Sequence, residues 1–229
     1  MVVDAVVTVT FDVFSALTDS RSGGSAFLDS VVARNGWATT GAQLYDRWDA
    51  LNKGLHAQVD RWVSFADLSD RAMDAALTEL GLPGVNAHRL SSALLESMAD
   101  WPLWPDVTAN ALRELGGLRL GLLSNIDNDL LARTAAVRLG VFDPASVVTS
   151  QRAQAYKPAA RLYERATDLL GPFVHVASSA RDVRGAVGAG IRCIRLARPG
   201  HTLDAAGPFP QWTVVSITTL RDAVTAAAQ

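Results

Sequence analysis

Four polar residues stand where chemistry is easiest to build along this chain: Asp12, Ser124, Lys157 and Asp182. Asp12 closes the run Val6-Val7-Thr8-Val9-Thr10-Phe11, which holds neither Pro nor Gly and reads as a buried strand. A carboxylate at a strand's carboxyl end can act as nucleophile, general base or metal ligand, since ligands bind at that edge of an open parallel sheet. Ser124, followed by Asn125, comes directly after Leu122-Leu123. Lys157 lies in Tyr156-Lys157-Pro158 at a predicted helix start, and Asp182 ends Ser178-Ser179-Ala180-Arg181-Asp182 after the apolar run Val174-His175-Val176-Ala177. Taken singly, each has a plain structural role: a turn serine, a surface lysine, a helix cap. Asp, Ser, Lys and Asp in that order, each at a strand end or the helix start beyond it, point to one composite site.

The elements that must position these residues fall into two blocks. From Asp19 to the mid-nineties the pattern is helix after helix. Ser20-Arg21-Ser22-Gly23-Gly24 reads as a loop, with helices following over about Ser25–Arg34, Gly41–Val59, the segment from Ser64 to Gly81, and Asn86–Met98. Beyond Trp101-Pro102-Leu103-Trp104-Pro105 strands and helices alternate. Predicted strands cover Leu118–Leu123, Val147–Thr149, Phe173–Ala177, Ile191–Leu196 and Thr213–Ser216. Predicted helices cover Val107–Leu115, Asp127–Leu139, Pro158–Leu170, Val183–Ala189 and Thr218–Ala227. Such alternation builds an α/β fold, a parallel sheet with helices on both faces. The first strand belongs to that sheet, so the helical block is an insertion after it, placed to cover the carboxyl edge as a lid.

Bulk composition narrows the function classes. A net charge of −2 with both signs interspersed offers no basic face for nucleic acid. No segment has the apolar length of a membrane span. Asp4 interrupts the apolar N-terminus, and no basic region or small-residue cleavage pattern frames it, so a signal peptide is not expected. The single cysteine, Cys193, sits in an apolar run as a core thiol and permits no internal disulfide, which suits a cytoplasmic protein. His56, His88, His175 and His201 show no metal-ligand spacing.

On these residues the chain resembles the haloacid dehalogenase superfamily and, within it, the two-domain L-2-haloacid dehalogenase (type II) group. The resemblance runs from Phe11-Asp12-Val13-Phe14 to the final strand and helix, with Asp12, Ser124, Lys157 and Asp182 matching its four motifs. It implies a Rossmann-like core of residues 1–18 and 96–229 and a helical cap of residues 19–95. It also implies an aspartate nucleophile at Asp12, forming a covalent ester, with Lys157 keeping Asp12 ionised. Asp182 and Ser179 would position the hydrolytic water, and Ser124 and the Asn125 backbone N–H would hold a substrate carboxylate. Tyr163 falls at the dehalogenases' active-site tyrosine, and Ser178, Phe14, Trp48 and Arg47 complete the implied substrate-binding set. The implied partner is a small carboxylic acid, and dimerisation through cap helices fits the same resemblance.

Two alternatives accompany that reading: a Mg²⁺-dependent phosphatase and a non-catalytic binding protein on the same fold. Phosphatases of this superfamily resemble Asp-x-Asp at the first motif, whereas here the second position is Phe14, which has no proton to donate. Their fourth motif tends to carry two acidic residues for magnesium, and here the earlier position is Ser178. No metal ligand set and no cofactor are therefore expected, magnesium entering only under the phosphatase alternative. A halide leaves without a proton, so Phe14 does not obstruct dehalogenation. Several positions depart from the dehalogenase pattern. Ser15 and Ala16 replace a glycine and a threonine, and Ser179 replaces an asparagine. The cap arginine that receives the halide aligns with Asp49; Arg47 is nearby, but a two-residue offset on a helix turns the side chain through about 200°.

Overall fold

The first strand, β1 (Thr8–Phe11), is buried on both faces, so Thr8 and Thr10 are as enclosed as Val9 and Phe11. In the computed structural model, residues 6–228 are described; the reading of the apolar N-terminus falls partly on residues 1–5, outside them. After β1 a single π-helical turn, Val13–Leu17, leads into four helices: α1 (Ser20–Asn35), α2 (Gly41–Gln58), α3 (Phe65–Glu79) and α4 (Ala87–Ser97). The alternating part follows with α5 (Ala109–Arg113), β2 (Arg119–Ser124), α6 (Asn128–Arg133), α7 (Ala135–Arg138) and β3 (Val147–Thr149). Then come α8 (Ser150–Ala153), α9 (Ala160–Leu170), β4 (Phe173–Ala177) and α10 (Ala180–Gly188). The chain closes with β5 (Arg192–Leu196), β6 (Trp212–Val214) and α11 (Leu220–Ala228). No helix among the described residues is long and apolar enough to cross a membrane.

All strand pairs are parallel, in the order β3-β2-β1-β4-β5-β6. The order reverses at β1, so a crevice opens at the carboxyl ends of β1 and its neighbours. This is a Rossmann-like core with a helical cap inserted after the first strand. Phe14 joins the two: its ring stacks on Phe65 at 6.2 Å and meets Trp101 edge-on at 6.0 Å. Asp127 adds a polar clamp, its carboxylate accepting the Phe65 and Ala66 N–H groups, each at 3.0 Å, at the start of α3.

Several element boundaries differ from the sequence reading. Ser20–Gly24 is helix rather than loop, because Asp19 caps it by accepting the Ser22 N–H, so α1 starts five residues early. Its glycines serve close packing: a Cβ on Gly24 would lie 2.3 Å from the Tyr45 ring, and one on Gly23 would lie 2.5 Å from Trp101. The predicted helix Asp127–Leu139 breaks into α6 and α7 at Thr134, which is extended and whose hydroxyl donates to Leu131 O at 2.9 Å. At the start of α10 it is Ser179, not Asp182, that caps the helix.

Candidate active site

Asp12 caps the turn after β1 and, though buried, lines the crevice. Its N–H donates to Val176 O on β4 at 3.0 Å, pinning it to the sheet. Its Oδ2 accepts the Ser15 N–H at 2.9 Å and the Ser15 hydroxyl at 2.6 Å, holding the π-turn closed. The other oxygen, Oδ1, receives Lys157 Nζ at 2.7 Å. That ammonium also donates to Asp182 Oδ2 at 2.6 Å and to Leu123 O at 2.9 Å, so all three of its protons are committed. Lys157 is 4 % exposed.

Burial alone would strip the Lys157 charge, yet the Asp12 and Asp182 carboxylates outweigh it and raise its pKa above the ordinary lysine value. For Asp182, burial pushes upward, but Lys157 and His175 hold its carboxyl well below the usual range. Tyr163 OH donates to Asp182 Oδ1 at 2.7 Å, and His175 Nε2 lies 3.1 Å from Oδ2. Thr10 Oγ1 closes the network at 2.9 Å from His175 Nδ1. The charges are thus buried, paired and fully hydrogen-bonded, the condition under which a low-dielectric ion cluster persists.

Asn125 and the Lys157 backbone bind reciprocally: Lys157 N donates to Asn125 Oδ1 at 2.8 Å, and Asn125 Nδ2 donates to Lys157 O at 3.1 Å. This side-chain splint fixes the start of the lysine's loop against the end of β2. Above it lies a cavity of about 590 Å³ between the sheet edge and the helical cap. Asp12, Phe14, Asn125, Lys157, Ser179 and Asp182 line its floor, and Trp48, Tyr45 and His56 are among its roof residues. Burial lowers the His56 pKa to about 3, so this imidazole is neutral.

Four sequence expectations need correction. Ser124 is fully buried, its hydroxyl has no partner among the described residues, and it does not line the cavity. Ser178 donates to Leu196 O on β5 at 2.6 Å, turned away from the crevice. Tyr163 is fully buried behind Asp182, so it positions that carboxylate rather than meeting a ligand. Arg47 projects to solvent and pairs with Glu79. Asp182 stays on the cavity floor, its oxygens also meeting Lys157, Tyr163 and His175. Ala16 is fully buried in the hydrophobic core, its carbonyl accepting Arg198 Nε at 3.0 Å. The sequence reading missed Thr10, His175, Ser15 and Arg181 as members of the site. The one available signal was a histidine inside an apolar strand, which requires a buried partner.

Among the described residues, no group of three or more His, Cys, Asp or Glu side chains is placed to hold a metal ion. Asp12 spends both oxygens on Lys157 and Ser15, and Ser178 faces β5, so the octahedral oxygen set that Mg²⁺ prefers is not assembled here.

A family model described as haloacid dehalogenase-like hydrolase matches residues 6–190. No functionally curated protein gives a significant match. Among solved structures, the chain is similar to L-2-haloacid dehalogenase from Xanthobacter autotrophicus with chloropropionic acid covalently bound. The identity is 21 %, the TM-score 0.80, and the match covers 96 % of this chain and 98 % of that one. L-2-haloacid dehalogenase RSc1362 matches at 24 % identity and TM-score 0.79, covering 96 % and 99 %. The HAD-hydrolase YfnB from Bacillus subtilis, bound to magnesium, matches at 13 % identity and TM-score 0.76, again over 96 % and 99 %. At these identities the neighbours speak for the fold, whereas the family match spans most of the sequence: the chain belongs to the haloacid dehalogenase-like hydrolases.

Proposed function

We propose that this hydrolase uses Asp12 as a nucleophile on a small 2-substituted carboxylic acid, with 2-haloacid dehalogenation as its nearest chemistry. The observation that carries this reading is the Lys157 ammonium held between Asp12 and Asp182 beneath the cavity. It holds the attacking carboxylate in place, and a halide leaving group needs no proton donor. In the first step an Asp12 oxygen bonds to C2 while the C2–halogen bond breaks, its electron pair leaving as halide. In the second, water attacks the ester carbonyl, returning the Asp12 carboxylate and releasing a 2-hydroxy acid and a proton. Asp182 and Ser179 flank this point on the cavity wall and orient the water; the low pKa of Asp182 suits it to accepting a hydrogen bond rather than storing a proton. Residues 19–95 act as the cap that closes the cavity over a core of residues 1–18 and 96–229. Phosphoryl transfer is disfavoured because Phe14 is packed against Phe65 and Trp101 where an acid would be required.

The test is halide release from each enantiomer of 2-chloropropionate, combined with a single turnover in H₂¹⁸O. Incorporation of ¹⁸O into the peptide carrying Asp12 is expected. Halide release with label only in the product acid, or Mg²⁺-dependent phosphate release from an ester, would overturn the assignment.

A further inference from the structure

We infer that Arg181 is the anion-holding group of this cavity, receiving a small monoanion beside Asp12: the departing halide or the carboxylate of the 2-substituted acid. The inference rests on the nucleophile reading only for which anion arrives, not for the site itself. Four cations line the cavity, namely Arg21, Lys53, Lys157 and Arg181. Arg21 is paired with Asp46, Lys53 with Asp49, and Lys157 with both Asp12 and Asp182. Among the described residues, Arg181 is the one with no carboxylate partner. Its single protein hydrogen bond runs from Nη2 to Lys157 O at 2.9 Å. A guanidinium carries several further N–H donors in a rigid fork suited to a carboxylate, and none of Arg181's nitrogens is sealed in the core without a partner. Those donors are open.

Placement supports the assignment. Lys157 O accepts from Arg181 and, at 3.1 Å, from Asn125 Nδ2, so guanidinium and amide converge on one carbonyl. The side chain of that same lysine grips Asp12. Arg181 and Asp12 line the same cavity, so an anion held by Arg181 shares it with the attacking carboxylate. On the roof, Asp49 stands where a cationic cap residue was expected, and its charge is neutralised by Lys53 one helical turn away. The positive charge that a departing anion needs comes from α10 of the core, not from the cap.

The experiment titrates the full chain with sodium bromide and, separately, with L-lactate, following the fluorescence of Trp48, Trp101 and Trp104, which line the cavity. Saturable binding is expected, weakened at least about tenfold in Arg181→Met, as for loss of a hydrogen bond to a charged group. Arg184→Met, at an exposed residue of α10 that pairs with Asp204, should bind like the parent. Loss of bromide binding alone marks the leaving-group site, and loss of lactate binding alone marks the carboxylate site; both support the inference. Equal affinities in a folded Arg181→Met chain, or no saturable binding to the parent, would overturn it. If Arg181→Met does not fold, Arg181→Gln, which keeps a donor for Lys157 O, replaces it. Protection of Arg181 from phenylglyoxal by bromide or lactate, read by peptide mass, needs no variant; absence of protection by either anion counts against the proposal. Neither readout depends on turnover. Arg181-dependent binding without haloacid hydrolysis would reject the proposed reaction alone, and haloacid hydrolysis unchanged in Arg181→Met would reject this inference alone.

Discussion

The Ser15 hydroxyl donates to Asp12 Oδ2 at 2.6 Å, reinforcing a bond from the Ser15 N–H to the same oxygen at 2.9 Å. Ser15, which stands where the family resemblance implies a glycine, thus binds the proposed nucleophile. A hydrogen bond stabilises the carboxylate charge and makes its lone pairs less available, while Lys157 does the same at Oδ1.

Ser15→Ala keeps the backbone bond and removes the hydroxyl. Formation of the Asp12 ester should accelerate by up to about tenfold, with stability lower by about 1 kcal/mol. Rapid-quench measurement of the first turnover and urea unfolding check the two effects. A slower first turnover would show that the hydroxyl aims the carboxylate rather than restraining it.

The Asp12–Lys157–Asp182 cluster predicts stability loss at both pH extremes. Asp182 has its pKa depressed from 3.8, so its contribution is present above that value and is lost as pH falls through the lower folded value. Lys157 has its pKa raised from 10.5, so its contribution is present below that value and is lost as pH rises through the higher folded one. Thermal melts across pH should therefore show a neutral plateau, and Asp182→Asn should flatten the acid limb relative to the parent.

His175 ties the cluster to the middle of the sheet, bridging Thr10 and Asp182 with no solvent exposure. Replacing it with Leu would strand the Thr10 hydroxyl and remove one donor from Asp182, a loss of about 1–3 kcal/mol for a buried unsatisfied group. Chemical denaturation gives the number directly. A change within about 0.3 kcal/mol would mean that water replaces the imidazole.

Two glycines in the cap should respond in opposite directions. Gly24→Ala drives a methyl into the Tyr45 ring, 2.3 Å away, and should cost about 1–3 kcal/mol. Gly54, inside α2 with nothing within 4 Å, should gain about 0.5–1 kcal/mol as Gly54→Ala. Paired melting curves of the two variants test whether close packing, rather than turn formation, keeps Gly24.

Much of the architecture was legible because it follows from local patterns: β-branched runs between helical segments, and helices closed by glycine. Boundaries failed where a distant contact chose the conformation. Gly23-Gly24 looked like a loop until Tyr45 and Trp101 came against them, and Thr134 broke a helix that its apolar neighbours would have continued.

The sequence by itself determined the parallel α/β core, the inserted helical block, and the order in which Asp12, Lys157 and Asp182 reach the sheet edge, since strand ends in such a sheet must converge. Only the tertiary structure decided which polar side chains face the crevice. Ser124, Ser178 and Tyr163 turn inward to satisfy or fill the core, Arg47 turns to solvent, and Arg181 lines the cavity with no carboxylate partner among the described residues. The physical reason is that one-dimensional spacing places a residue on an element, but the direction of its polar atoms follows from partners brought together across 18 to 165 positions of chain.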